Sequence, residues 1–218
     1  MNLQTIKSKT IIVFLLFFTF LFNNQIAFAK DWIFDVYLDK NKIGQHSFHL
    51  SEDNELTSKA KFNVKVLFIN AYHYDHSALE KWQGDCLTNI KSHTVENKVT
   101  TDIKGRLTDA GFIVENGNEK QNLPACSMTF AYWNPKILTQ DKLLNPQNAE
   151  WLTVKTIKVG KEIIESKGQN IEASHFKLDG SLNGLNKLKI ELWYNANNEW
   201  VALKSITPEG YIITYKLH

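Results

Sequence analysis

Arginine is nearly missing from this chain: Arg106 is the single one in 218 residues. Forked, bidentate recognition of phosphate or carboxylate therefore has almost nothing to draw on. Basic blocks are missing as well. The 25 basic residues stand against 23 acidic ones, without the clustered Lys and Arg that nucleic acid demands. Cysteine is scarce: Cys86 and Cys126 are the only two. They form no Cys-x-x-Cys redox motif, and two thiols cannot make a zinc site without histidine help. Gly-x-Ser-x-Gly, His-Glu-x-x-His and glycine-rich phosphate loops are absent too, which lowers the case for an enzyme without removing it. No cofactor is called for. After Phe22 no apolar run exceeds a few residues, Val66 to Ile69 being an example, so no later membrane span is expected.

What is present begins with the amino terminus. Lys7 and Lys9 precede an apolar run, Ile11 to Phe22, broken only by Thr19, and no acidic residue comes before Asp31. At about 12 residues the run is too short for a hydrocarbon core that needs about 20. Asn23, Asn24 and Gln25 follow, then Ala27-Phe28-Ala29. A basic start, a short apolar core and a small-x-small exit describe a secretory signal peptide over residues 1–29, cleaved after Ala29. The expected location is exported, the periplasm first and the exterior second. Loss of Lys7 and Lys9 leaves 23 basic and 23 acidic residues, a neutral mature chain. In an oxidising compartment Cys86 and Cys126 are expected to be bridged. The bridge would close a loop of about 40 residues and stabilise by roughly 4 kcal/mol.

Residues 30–218 alternate apolar and polar side chains with a period of two. Trp32, Phe34, Val36 and Leu38 make one apolar face, and Ile43 to Leu50 continues after the turn residues Asp39 to Lys42. Ala60, Phe62, Val64 and Val66 alternate with lysines and Asn63. Ala71 to Trp82 alternates again. Turn signals at Glu96 to Lys98, Asp109 to Gly111 and Asn116 to Asn118 divide Leu87 to Leu123 into shorter strands. Pro135 and Pro146 then fragment a long connection, about residues 127–146, in which one or two short helical turns are expected. Strands resume at Trp151 to Lys158, Glu162 to Glu165, Ile171 to Leu178, Leu188 to Tyr194, Trp200 to Thr207 and Tyr211 to Leu217. The separators expected are Val159-Gly160-Lys161, Lys167-Gly168, Asn195 to Asn198 and Pro208-Glu209-Gly210. Short turns make antiparallel neighbours. About a dozen strands accumulate enough twist to curl the sheet. The expectation is an all-β class: one domain over 30–218, a single antiparallel meander curled into an open or half β-barrel.

Two groups of residues carry a resemblance. One comprises Trp32-x-Phe34-x-Val36, Ile43-Gly44-x-His46-x-Phe48, Tyr74-x-His76, Glu80-x-Trp82 and Cys86-Leu87. The other comprises Phe130-Ala131-Tyr132-Trp133-Asn134-Pro135, Leu143 to Gln147, and Leu192-Trp193-Tyr194 with Trp200. With these the chain resembles the bacterial domain-of-unknown-function family 6134, exported β-rich proteins, over essentially its whole mature length. The resemblance implies export and β architecture. It supplies no catalytic residue, binding residue or substrate.

Chemistry concentrates in β-strand residues 72–82. One face carries Tyr72, Tyr74, His76, Glu80 and Trp82; the other carries His73 and Asp75. His73 with Asp75 has metal-ligand character, but His76 points the opposite way, as His46 does from His49, and exposed strand polarity explains the pair without a metal. No metal is assigned. His76 and Glu80, if interior, need hydrogen-bond partners. They suit a structural network, the wall of a ligand cavity, or an acid–base pair. Trp133 and Asn134 sit in the long connection, which either closes the barrel end as core or acts as a plug over it. The candidate ligand residues are therefore Tyr72, Tyr74, His76, Glu80, Trp82, Trp133 and Asn134. The leading expectation is a non-enzymatic binder of an apolar or lipid-like small molecule on the hollow side of the sheet. Alternatives are an assembly module with a filled core, and a hydrolase or metal enzyme using His73, Asp75, His76 or Glu80.

Overall fold

The computed structural model describes residues 29–66, 69–207 and 210–218. The leader expected over residues 1–29 lies, through residue 28, outside the described residues, as do Pro208 and Glu209 of the last expected turn. The chain folds into fourteen strands of one sheet: β1 (Lys30–Leu38), β2 (Asn41–Leu50), β3 (Glu55–Val66), β4 (Ile69–Gln83), β5 (Cys86–Glu96), β6 (Val99–Thr108), β7 (Gly111–Asn116), β8 (Glu119–Leu123), β9 (Lys142–Leu144), β10 (Trp151–Ser166), β11 (Gln169–Leu182), β12 (Leu185–Tyr194), β13 (Trp200–Ile206) and β14 (Ile212–Leu217).

Strand order follows chain order, with one exception. The first and last strands pair in the middle, giving β8-β7-β6-β5-β4-β3-β2-β1-β14-β13-β12-β11-β10-β9. Every strand pair is antiparallel. The sheet is open, with β8 and β9 as its outermost strands, so it is barrel-like without closure. Tight hairpins enforce this meander. Between β11 and β12, Asn183 and Gly184 both take positive φ, 51° and 80°, the backbone of a two-residue turn whose twist matches its strands.

Alternation places one row of each strand on the hollow side. Pairing aligns these rows across β1 to β5 as Phe34, His46, Ala60, His76, Thr94. The next row reads Trp32, Phe48, Ser58, Ala78, Ser92, and the next Leu50, Leu56, Glu80, Ile90. The expected break at Val159-Gly160-Lys161 is not a turn. β10 runs straight through it, with a bulge between Lys158 and Gly160. The extra residue of a bulge inverts the alternation, which in sequence looks like a strand end.

The connection after β8 does not arch over solvent. It enters the hollow, and its Met128, Phe130, Ala131, Ile137, Leu143, Leu144 and Ala149 are buried in the same core as Phe34, Leu87, Phe112, Tyr194 and Trp200. Its helical content is one 3-10 turn, Pro135–Thr139, followed by the short β9, which the sequence pattern did not suggest. A second, smaller cluster of Val36, Ala60, Phe62 and Tyr74 fills the far end of the strands. Cys86 and Cys126 form a disulfide with their Cα atoms 4.6 Å apart, tying the start of β5 to the start of the connection.

Candidate functional site

A small cavity of about 70 Å³ remains where the connection meets β2, β3 and β4. Its sheet wall carries His46, Phe48, Ser58, His76 and Glu80, and its opposite wall carries Thr129, Phe130, Tyr132 and Trp133. The two walls are built by different means. Register sets His46 and His76 on one inward row and Glu80 two rows further along β4. The connection is held in place by hydrogen bonds at both of its limbs.

On one limb, Leu144 N donates to Met128 O at 2.8 Å and Tyr194 Oη donates to Tyr132 O at 2.8 Å. Asn134 caps the 3-10 turn, its Oδ1 accepting from Lys136 N at 3.0 Å, while its Nδ2 donates to Asp85 Oδ1 at 2.9 Å. On the other limb, Ser92 Oγ donates to Pro146 O at 2.6 Å and Thr94 Oγ1 to Gln147 O at 3.3 Å.

Thr94 thereby fixes His76. Its single hydroxyl proton goes to Gln147, so the contact of 2.9 Å with His76 Nδ1 has imidazole N–H as donor. That tautomer leaves Nε2 as an acceptor on the cavity wall. Burial holds His76 neutral and lowers its pKa to about 4, with Asp75 opposing weakly. His46 is buried and stacked on Phe48 with ring centroids 4.0 Å apart. Its Nε2 lies 2.8 Å from Ser58 Oγ and its Nδ1 lies 3.4 Å from Tyr215 Oη. Desolvation, and the nearby His76, push its pKa well below the usual histidine value. Ser58 and His46 have nucleophile–base spacing, but a tyrosine hydroxyl stands where a carboxylate would have to orient and polarise the imidazole.

Glu80 is the most exposed to electrostatic penalty. Its carboxyl is buried and accepts one hydrogen bond, from Thr129 Oγ1 at 3.2 Å. Desolvation raises its pKa to about 7, only partly offset by Thr129 and by the nearby Trp82 indole. That indole is close enough to favour the carboxylate but has no partner within hydrogen-bond geometry, and the buried Trp133 Nε1 has none either. The two indoles meet edge to face with centroids 5.6 Å apart. Strand rise separates His76 and Glu80 by about 13 Å along β4, so they do not form an acid–base pair. Each has its own partner instead.

Of the seven residues singled out from the sequence, His76, Glu80 and Trp133 border the cavity. Trp82 backs Trp133. Tyr72 and Tyr74 stack with each other in and beside the far-end cluster, and Asn134 works as a cap. His73 and Asp75 face outward, to Asn63 at 2.8 Å and Lys61 at 3.9 Å. Among the described residues no group of three or more His, Cys, Asp or Glu side chains could hold a metal ion. His46, Ser58 and Thr129 were not singled out. The first two are legible only through register, which aligns His46 with Ala60 and His76, and Ser58 with Phe48 and Ala78. No signal in the sequence points to Thr129.

A barrel-like, open antiparallel sheet with its own connection folded inside defines the class of protein. Residues 34–218 match the domain of unknown function DUF6134, and the chain belongs to that family. A similar solved structure is the β-barrel-like protein of domain of unknown function DUF1849 from Brucella abortus, with a TM-score of 0.59 and 12% identity, covering 86% of this chain and 94% of that one. At that identity the likeness concerns fold alone. No curated protein matches the chain.

Proposed function

We propose that this is an exported, non-enzymatic binding protein that takes the compact head of a small amphipathic molecule on the hollow side of its sheet. One observation carries the reading. The cavity joins a buried, ionisable wall, where Glu80 accepts a single hydrogen bond among the described residues, to an aromatic one. Burying such groups without partners is costly, and a structural network would satisfy them. The volume limits the guest. Drug-sized ligands use about 300–1,000 Å³, so a cavity of about 70 Å³ accepts a head group and not an acyl chain. Leu188 is shared with a groove of about 400 Å³ at the sheet rim, between Asn186 to Lys189 and Ile206. That groove gives the remainder of the molecule a place to lie. Export is supported by the disulfide and by the absence, among the described residues, of a helix able to cross a membrane. Native mass spectrometry of protein isolated from its own envelope tests the reading. A reproducible bound small molecule is expected; repeated recovery of bare protein would defeat it.

An assembly role draws on a different observation. β9 covers β10 only from Trp151 to Thr153, and among the described residues the outer edge of β10 beyond Val154 has no strand partner. Ile157, Val159 and Ile163 are exposed there, at 45%, 51% and 66%. Free edges recruit strands. Lys155, Lys158, Lys161 and the bulge, however, are the devices that keep edges single. Crosslinking in cells through a residue placed at position 157 would recover a consistent partner if this edge were used.

A further inference from the structure

The cavity wall carries one acidic side chain and no basic one. Lys and Arg are absent from its lining, and its two histidines, His46 on β2 and His76 on β4, are neutral for the reasons given above. An anionic head group would find no counter-charge there. It would also face Glu80. A cation finds a buried carboxyl with one oxygen, Oε1, that accepts no protein hydrogen bond among those described, and it finds four aromatic rings elsewhere in the lining. Phe48, Phe130, Tyr132 and Trp133 all border the space. Their negative faces attract a positive charge, most strongly in a desolvated site. His76 Nε2 adds a neutral acceptor further along the wall.

Resting on the binding role proposed above, we infer that the head group is a protonated amine, its ammonium paired with Glu80 Oε1 inside the ring of Phe48, Phe130, Tyr132 and Trp133. The pairing accounts for a carboxylate kept in the interior with a single hydrogen bond. A buried acid with one hydrogen bond is costly to keep, so Glu80 is better explained by a partner that arrives than by the partners already present.

Proton release follows. With its pKa near 7, unliganded Glu80 is about half protonated at pH 7. An adjacent cation favours the carboxylate, so binding at pH 7 releases up to about half a proton per guest. Among the described residues, the titratable groups lining the same space are His46, His76 and Tyr132, all held in their neutral forms by burial.

The test uses the exported, disulfide-bonded protein and five probes: methylammonium, trimethylammonium, ethanolamine, acetate and 1-propanol. Titration calorimetry is run in two buffers of different ionisation enthalpy. The amines are expected to bind with a buffer-dependent heat, and acetate and propanol at least tenfold more weakly. Glu80→Gln is expected to weaken the amines at least tenfold and to abolish the buffer dependence. Thr129→Val, which removes the hydrogen bond that favours the carboxylate, is expected to leave more of the unliganded Glu80 protonated and so to enlarge the buffer-dependent proton release on amine binding at pH 7. Equal binding of propanol and amines, or amine binding unaffected by Glu80→Gln, overturns the inference. If native mass spectrometry still finds a guest and no amine binds, the chemical class falls and the binding role stands. If neither is found, both fall.

Discussion

Glu80 of β4 and Thr129 of the connection meet across 49 residues of chain, the threonine hydroxyl donating to Oε2 at 3.2 Å. The bond joins the sheet to the segment that fills it. It also leaves an acid in the interior with little compensation, and this has a measurable cost.

Glu80 should make the protein less stable as pH rises. Its pKa is about 7 folded against 4.5 for the free side chain. Between these values the unfolded chain has lost the proton that the folded chain keeps, so stability declines through that window and levels off above it. The difference corresponds to something on the order of 3 kcal/mol. Glu80→Gln removes the slope. Chemical denaturation from pH 4.5 to 8 should show the variant equal to the parent at the acid end and more stable at the alkaline end. Parallel curves would contradict this.

The histidines act in the opposite direction. His76 is neutral in the fold with a pKa of about 4, against 6.5 when free. As pH falls from 6.5 to 4 the unfolded chain takes up a proton that the fold refuses, and stability is lost. His76→Gln should flatten this acid limb while keeping a group able to bond Thr94. His46 supplies a second contribution of the same sign, so the limb should shrink without vanishing.

Opening the disulfide should loosen the connection before it unfolds the sheet. The bridge closes a 40-residue separation, for which chain entropy gives roughly 4 kcal/mol. The paired change Cys86→Ser with Cys126→Ser should lower the denaturation midpoint accordingly. Limited proteolysis should then cut first within residues 124–141.

Gly44→Ala should be among the most damaging single changes. A Cβ there would lie 1.8 Å from the backbone oxygen of Lys61, and a strand backbone cannot yield as a side chain can. Separation of β2 from β3 should cost at least about 3 kcal/mol. A urea midpoint near that of the parent would show that the pairing tolerates more play than the geometry implies.

Much of the fold was legible in the sequence because its dominant interaction, burial of one sheet face, imprints a period of two on the residues. Ala60, Phe62 and Val64 need no structure to be read as a strand. Gly160 was misread because a bulge and a turn leave the same mark on that period. The site was harder. Its acid and one histidine stood out by their chemistry on an apolar face, and Trp133 by lying in the long connection. The other wall depends on where a connection of irregular backbone comes to rest, and neither propensity nor period encodes that. Tyr72 and Tyr74 were drawn in by sharing a face with His76, yet a strand of 15 residues is long enough to serve two separate clusters.

The partnership of β1 with β14, where Phe34 faces Leu217, sets a timetable. Every other neighbouring pair of long strands is consecutive in sequence and can form as soon as its second strand is available. This seam alone must wait for the last segment to be delivered. Until then the molecule consists of two half-sheets, each with a raw inner border, linked only by the segment destined for their hollow. A chain drawn through a membrane from its front end would thus remain unlocked until export was complete.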